Sequence, residues 1–272
     1  MKNTIKRIPL ARQVYRYFKE KEYEQKFATN AYGCFWGVFE TFEQARQASP
    51  QTKSVGYNNA DLAKEYQKML EEHNWENTGR IIGINDYPIL CWFKSIFEEG
   101  ATTVFDFGGN MGVHFYSYSK YLEYPQDLKW TVCELPEIIK IAQRLAEKRC
   151  AKGLEFTSDF NEANGKDVFI ASGSIQYVEN LSFSLSSIDQ KPKFLLINRL
   201  PLYDGDQFVT LQNGGQVFYP QYVFNQAEFI ASITSIDYEL IDLWQGVDTC
   251  HIPCHPEKSV PSYSGLYFRL KS

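Results

Sequence analysis

The run TTVFDFGGNMGVHF, from Thr102 to Phe115, holds the residue types best suited to bind a ligand. An acid, Asp106, lies near the end of a short β-branched and aromatic stretch. Gly108, Gly109, Asn110, Met111 and Gly112 follow, and a helical pattern begins at once. A strand, a glycine turn and a helix start make a nucleotide-binding corner. Glycines let a ligand approach the backbone, and the free N–H groups of the first helical turn face it. A second acid, Glu134, sits just past another strand-like run, LKWTVC. In open parallel sheets ligands lie beyond the carboxyl ends of the strands, where such a carboxylate can accept both hydroxyl protons of a ribose.

The glycine spacing separates two cofactor classes. A dinucleotide fingerprint needs glycines at i, i+2 and i+5. Counted from Gly108 those offsets fall on Asn110 and Val113, and from Gly109 on Met111 and His114, so both registers fail. The run resembles motif I of S-adenosylmethionine-dependent methyltransferases, an acid, any residue, then G-x-G-x-G. Asn110 stands in the place of the middle glycine, and Asn is the residue that best tolerates a left-handed backbone after glycine.

The elements that must position these residues follow from the same chain. A charged, helix-prone segment fills residues 1–30, and GCFWGVF (33–39) is read as a short strand or clasp. Thr41 caps a brief helix through Ala48, and Asn59 caps another over 60–73. Asp86 starts an apolar helix over 87–98, stopped by Gly100. From Val104 on, strands and helices alternate, which implies a mostly parallel sheet with helices on both faces. Strands are expected at 102–107, 128–133, 154–157, 167–171, 193–197, 238–244 and 265–270, with helices over 136–152 and 226–235. No helix fits between the last two strands, so they pair antiparallel. Residues 201–225 read as a long, turn-rich segment, either a substrate-specific insertion or an ordinary packed loop. This order resembles the Rossmann-like, seven-stranded class I methyltransferase sheet with its terminal antiparallel hairpin. The expected division is a mostly helical N-terminal cap, 1–85, and an α/β methyltransferase-like domain, 86–272.

That resemblance assigns Asp106, Gly108, Gly109, Asn110, Gly112 and Glu134 to cofactor binding. It adds Asp159 and Phe160 after the third strand, for the adenine, and Ser172, Gly173 and Ser174 after the fourth, beside the methionine part. Methyl transfer from a sulfonium is an in-line displacement that must align acceptor, methyl and sulfur and usually removes a proton from the acceptor. Tyr177 and Gln176 follow the fourth strand and Arg199 the fifth, where a guanidinium can hold a hydroxyl-rich or anionic acceptor. His251 and His255 lie in the loop between the last two strands and are the candidate bases. His114 begins the helix after the glycines and is read as packing or capping, and His73 as a surface residue. Cys250, His251, Cys254 and His255 match neither familiar zinc spacing and have no distant second pair, so no metal is expected.

Bulk properties narrow the partners. A net charge of −5 lacks the basic face that nucleic acid needs. There is no apolar run of membrane-spanning or signal length. Six scattered cysteines in 272 residues are no secreted disulfide framework, so the cytoplasm is the expected compartment. The 16% aromatic content could line a pocket, form a lid or make a homodimer contact.

Together FDFGGNMG, CELPE, SGSIQYVE, INRLPL and YPQYVFN, with the opening GCFWGVFETFEQA, resemble a bacterial methyltransferase family often encoded among surface-polysaccharide biosynthesis functions. Ser174, Gln176, Tyr177, Arg199, Tyr219 and Pro220 fall on its motifs. The expectation is an S-adenosylmethionine-dependent methyltransferase acting on oxygen of a saccharide or other small polar acceptor. Two alternatives stay open: a catalytically silent binding protein on the same fold, and a nicotinamide oxidoreductase, which the glycine register disfavours.

Overall fold

The computed structural model describes residues 9–29, 32–56, 82–253 and 255–271. The helix expected over 60–73, His73, most of the polar loop after it and Cys254 lie outside the described residues.

Seven strands form the main sheet: β3 (Thr103–Phe107), β4 (Lys129–Cys133), β5 (Leu154–Thr157), β6 (Val168–Ser172), β7 (Phe194–Leu200), β11 (Tyr238–Gln245) and β12 (Ser264–Leu270). Their order is β11-β12-β7-β6-β3-β4-β5. The five from β3 to β7 are mutually parallel, and β12 slots antiparallel between β7 and β11. This is the seven-stranded Rossmann-like sheet with a terminal antiparallel hairpin that the order of elements implied. β3 lies inside the sheet between β6 and β4, where the strand order reverses, so the glycine corner sits at the topological switch point.

Both faces of the sheet are covered, which explains the near-continuous apolar strands FLLI and VFIA. On one face the helix Tyr87–Glu98 buries Ile89, Leu90, Phe93 and Ile96. Phe93 stacks on Trp130 of β4 with ring centroids 5.3 Å apart. Truncating such a ring to alanine costs about 3–5 kcal/mol. On the other face Phe105, Phe169, Leu195 and Ile197 pack with the helices Leu181–Ser186 and Gln226–Thr234. At the opposite end from the glycine corner, Asp167 accepts the Thr102 and Thr103 N–H groups and the Thr103 hydroxyl at 2.8–2.9 Å. That contact locks β6 to β3 in register.

A second sheet differs from the expectation of a turn-rich segment over 201–225. There β8 (Leu202–Tyr203), β9 (Phe208–Asn213) and β10 (Val217–Asn225) are strands. β9 and β10 pair antiparallel, β1 (Phe35–Phe39) adds to β9, and β2 (Ser54–Val55) adds to β10. β9 and β10 are almost wholly buried, and the polar Gln212 and Gln221 that interrupt their apolar pattern line a cleft. Pro220 fits because, between its contacts with β2 at 217–218 and with β8 at 224–225, β10 has β9 alone as a neighbour. The N-terminal helix Pro9–Phe27 is fastened here: Asn213, fully buried, donates to the Phe27 carbonyl at 2.6 Å. Residues of both sheets share one hydrophobic core. The helix expected over 136–152 ends at Lys148, and the short helix Leu181–Ser186 was not foreseen.

Among the described residues no helix is long and apolar enough to cross a membrane.

Candidate active site

The corner is built by close contacts between strand tips. Gly108 takes φ +70°, and its N–H donates to the Cys133 carbonyl at 2.9 Å, tying the end of β3 to that of β4. From the other side Ser174 Oγ donates to the Phe107 carbonyl at 2.6 Å. A Cβ on Gly108 would meet Ser174 Cβ at 2.5 Å, so glycine is required there by space as well as by dihedral. Asn110 has φ 54°, the left-handed conformation that its place in the motif demands, and its Oδ1 accepts the Met111 N–H at 2.8 Å.

Asp106 lies beneath this turn with no exposed surface. His114 Nδ1 is 3.1 and 3.0 Å from its two oxygens, and Trp130 Nε1 donates to one of them at 3.1 Å. A Cβ on Gly109 would run into the same carboxylate. Asp106 therefore braces the corner from below, with its own side chain already partnered. Burial pushes the His114 imidazole down, but the charge and hydrogen bond of Asp106, with Asp86 behind, outweigh it and leave the pKa raised. Tyr118 stacks on His114 and donates to Asp86 at 2.9 Å, extending the network.

Glu134 stands at the neighbouring strand tip. Its Oε1 accepts the Asn110 N–H at 3.2 Å and its Oε2 the Leu135 N–H at 2.8 Å. Burial raises its pKa, partly offset by those two backbone donors. An ionised carboxylate has about four acceptor positions, and two are used. The remaining pair fits the vicinal hydroxyls of a ribose, and the buried Ser172 Oγ at the β6 tip has no hydrogen-bond partner among the described residues. These groups fit an adenosyl cofactor. Asp159 caps a short 3-10 turn, Phe160–Ala163, by accepting the Asn161 N–H at 2.9 Å. The Phe160 ring packs edge-on against Phe105 and Phe107, so much of it belongs to the core.

Beside Ser172 and Gly173 opens a cleft of about 460 Å³. Gln176 and Tyr177 line it from a short 3-10 turn after β6, Gln212 from β9, Gln221 from β10, and Arg199 from β7. Tyr177 donates to Gln212 at 3.1 Å, and Gln221 donates to the Tyr263 hydroxyl at 3.1 Å. Arg199 is held at φ 54°, left-handed without being glycine, and its Nε donates to Asp248 Oδ2 at 2.7 Å.

The structure brings Tyr177 and Arg199 together in this cleft, and neither His251 nor His255 lines it. His255 Nε2 lies 3.1 Å from Glu20 of the N-terminal helix, lining a different cleft with Trp36 and Phe39. His251 is exposed, 3.4 Å from Ser259. The loop between β11 and β12 reaches the cleft through Val247, Asp248 and Thr249 instead. Asp248 was missed, although an acid three residues beyond Gln245, the end of β11, obeys the strand-tip rule that singled out Glu134. Among the described residues, no three His, Cys, Asp or Glu side chains gather as for a metal ion.

Several solved structures are similar to this chain. The 1,6-didemethyltoxoflavin-N1-methyltransferase of Burkholderia thailandensis, with 1,6-didemethyltoxoflavin and S-adenosylhomocysteine bound, has a TM-score of 0.47 and 14% identity, covering 78% of this chain and 88% of its own. The magnesium protoporphyrin IX methyltransferase of Synechocystis PCC 6803, with S-adenosylhomocysteine bound, has 0.49 and 11%, covering 78% and 99%. A S-adenosylmethionine-dependent methyltransferase of Clostridium acetobutylicum ATCC 824 has 0.49 and 8%, covering 76% and 99%. At these scores and identities the likeness carries nothing about activity or acceptor. No family model and no curated protein matches the sequence.

Proposed function

We propose that the chain is a cytoplasmic S-adenosylmethionine-dependent methyltransferase that methylates an oxygen of a saccharide or other small polyhydroxylated acceptor. The observation that carries the reading is the meeting of Asn110 and Glu134 across adjacent strand tips, with two acceptor positions of the carboxylate left for a ribose. When bound, the cofactor supplies an electrophilic methyl group on a sulfonium. Glu134 holds the ribose, the Gly108–Gly112 turn lets the cofactor lie against the backbone, and Ser172 offers its hydroxyl. The cleft beside it supports the acceptor class: three glutamines, tyrosine hydroxyls and a guanidinium suit a ligand rich in hydroxyl groups. Surface-polysaccharide biosynthesis is the setting that the sequence resemblance suggests.

Calorimetric titration with S-adenosylhomocysteine, and separately with NAD, on wild type and Glu134→Ala tests the reading. The expected result is micromolar binding of the homocysteine nucleoside, lost in the variant, and no binding of NAD. Binding of neither ligand, or of NAD alone, overturns it.

A further inference from the structure

We infer that Asp248 is the group that accepts the proton of the hydroxyl being methylated, held for that task by Arg199, and that the acceptor is a neutral polyol. The inference rests on the methyl-transfer reading and deepens it.

The geometry is specific to Asp248. Both of its partnered contacts fall on Oδ2, from Arg199 Nε at 2.7 Å and Asn85 Nδ2 at 2.8 Å. Among the described residues Oδ1 has no donor. The backbone is pinned as firmly: the Tyr263 N–H donates to the Asp248 carbonyl at 2.8 Å, and the Val247 N–H to Asn85 Oδ1 at 2.8 Å. One oxygen is thus anchored while the other is left to a ligand. Arg199 supplies the anchor from a left-handed backbone, a costly conformation that persists where the surroundings impose it and that clusters at functional sites.

The lining defines the acceptor. Among the described residues of the cleft, Arg199 and Asp248 are the two formally charged side chains, and they pair, so together they present no net charge. Gln176 is 4% exposed, and among the described residues its Oε1 has no hydrogen-bond partner. A buried acceptor left unmet is destabilising, and a ligand hydroxyl donated to it removes that cost. An uncharged ligand with several hydroxyls satisfies Gln176 Oε1 without leaving a charge unpaired.

The step balances with these groups. The acceptor oxygen forms a bond to the methyl carbon as the methyl–sulfur bond breaks and its electron pair stays on sulfur. The hydroxyl proton passes to Asp248 Oδ1 and from there to water. Such a base contributes on the order of 10²–10⁴ in rate.

The test uses the full chain and the methyl glycosides of glucose, galactose, mannose and rhamnose as probes. Three quantities are measured: S-adenosylhomocysteine affinity by calorimetry, glycoside binding to the loaded protein by saturation-transfer NMR, and transfer from radiolabelled S-adenosylmethionine. The expected result is that at least one glycoside binds and is methylated. Asp248→Asn then keeps glycoside binding within about threefold and loses transfer by about 100-fold or more. Because an amide facing Arg199 could distort the cleft, Asp248→Ser repeats the test and is expected to agree. Transfer at the wild-type rate in either folded variant overturns the role of Asp248. Intact nucleoside binding with no glycoside bound overturns the neutral-polyol acceptor and leaves the methyltransferase reading standing. Loss of nucleoside binding in the wild type itself fails that reading, and the inference with it.

Discussion

Asn110 donates its backbone N–H to Glu134 Oε1 at 3.2 Å, joining a left-handed residue of the glycine turn to a carboxylate on the next strand. The contact orients the carboxylate before any ligand arrives. Glu134→Gln should therefore weaken S-adenosylhomocysteine binding sharply. A charge-assisted hydrogen bond is worth about 1.5–3 kcal/mol, so loss of one predicts a fall of about tenfold to 150-fold. Since burial raises the Glu134 pKa, affinity in the wild type should also drop as pH falls, at a higher pH than for an ordinary glutamate. Calorimetry from pH 8 down to pH 5 checks both, and an affinity indifferent to the substitution contradicts the assigned role.

The backbone of Asn110 makes a separate prediction. Asn110→Gly keeps the left-handed dihedral at no steric cost and should lose only the bond to the Met111 N–H, about 1 kcal/mol. Asn110→Val must place a β-branched side chain there and loses the bond to the Met111 N–H, a cost of about 2–3 kcal/mol. Urea unfolding of the two variants measures the difference, and equal stabilities would rule the account out.

Gly108 and Ser174 should be coupled. Gly108→Ala forces a methyl group onto Ser174 at a strained dihedral and is expected to destabilise by at least about 2 kcal/mol. Ser174→Gly alone loses the bond to the Phe107 carbonyl, about 1 kcal/mol, but opens the space. The double variant should be more stable than the sum of the two by about 1 kcal/mol. Strict additivity in a double-mutant cycle would show that the two tips are not in contact.

His114 gives the fold a pH dependence of definite sign. Its folded pKa is raised, so its contribution is complete below the unfolded value of about 6.5 and disappears as pH rises through the folded pKa. The stability gap between wild type and His114→Gln should accordingly shrink from about pH 6.5 upward. Denaturation at pH 6 and pH 9 decides, and a gap that widens in alkali refutes the Asp106–His114 ion pair.

Much of the main sheet was legible because its signals are local. Apolar runs such as VFIA and FLLI, punctuated by glycines and acids, mark β6 and β7 within a residue or two at their starts, and Asp86 and Gly100 bracket the helix Tyr87–Glu98. The second sheet was not legible. β1 meets β9 far along the chain, with Phe35 opposite Gln212, and such a pairing leaves no trace in a window of neighbours. The choice of His251 and His255 as bases followed from the ordinary histidine pKa and a correctly located loop. Val247, Asp248 and Thr249 line the cleft, and the chain after them pairs with itself through the bridge between Cys250 and Val260, a long-range contact that no local signal marks. The left-handed Asn110 was readable from its place among glycines, whereas nothing local marks Arg199 for the same conformation.

Two of the amides that line the cleft, Gln212 and Gln221, hang on β9 and β10, and Tyr32, Gly33 and Phe35 complete its rim, while the glycine corner and Glu134 belong to β3 and β4. The second sheet thus adds its amides to a cleft that the main sheet already furnishes with Gln176 and Arg199. Exchanging the 201–225 excursion between related chains should retarget such a scaffold without disturbing its grip on the nucleoside.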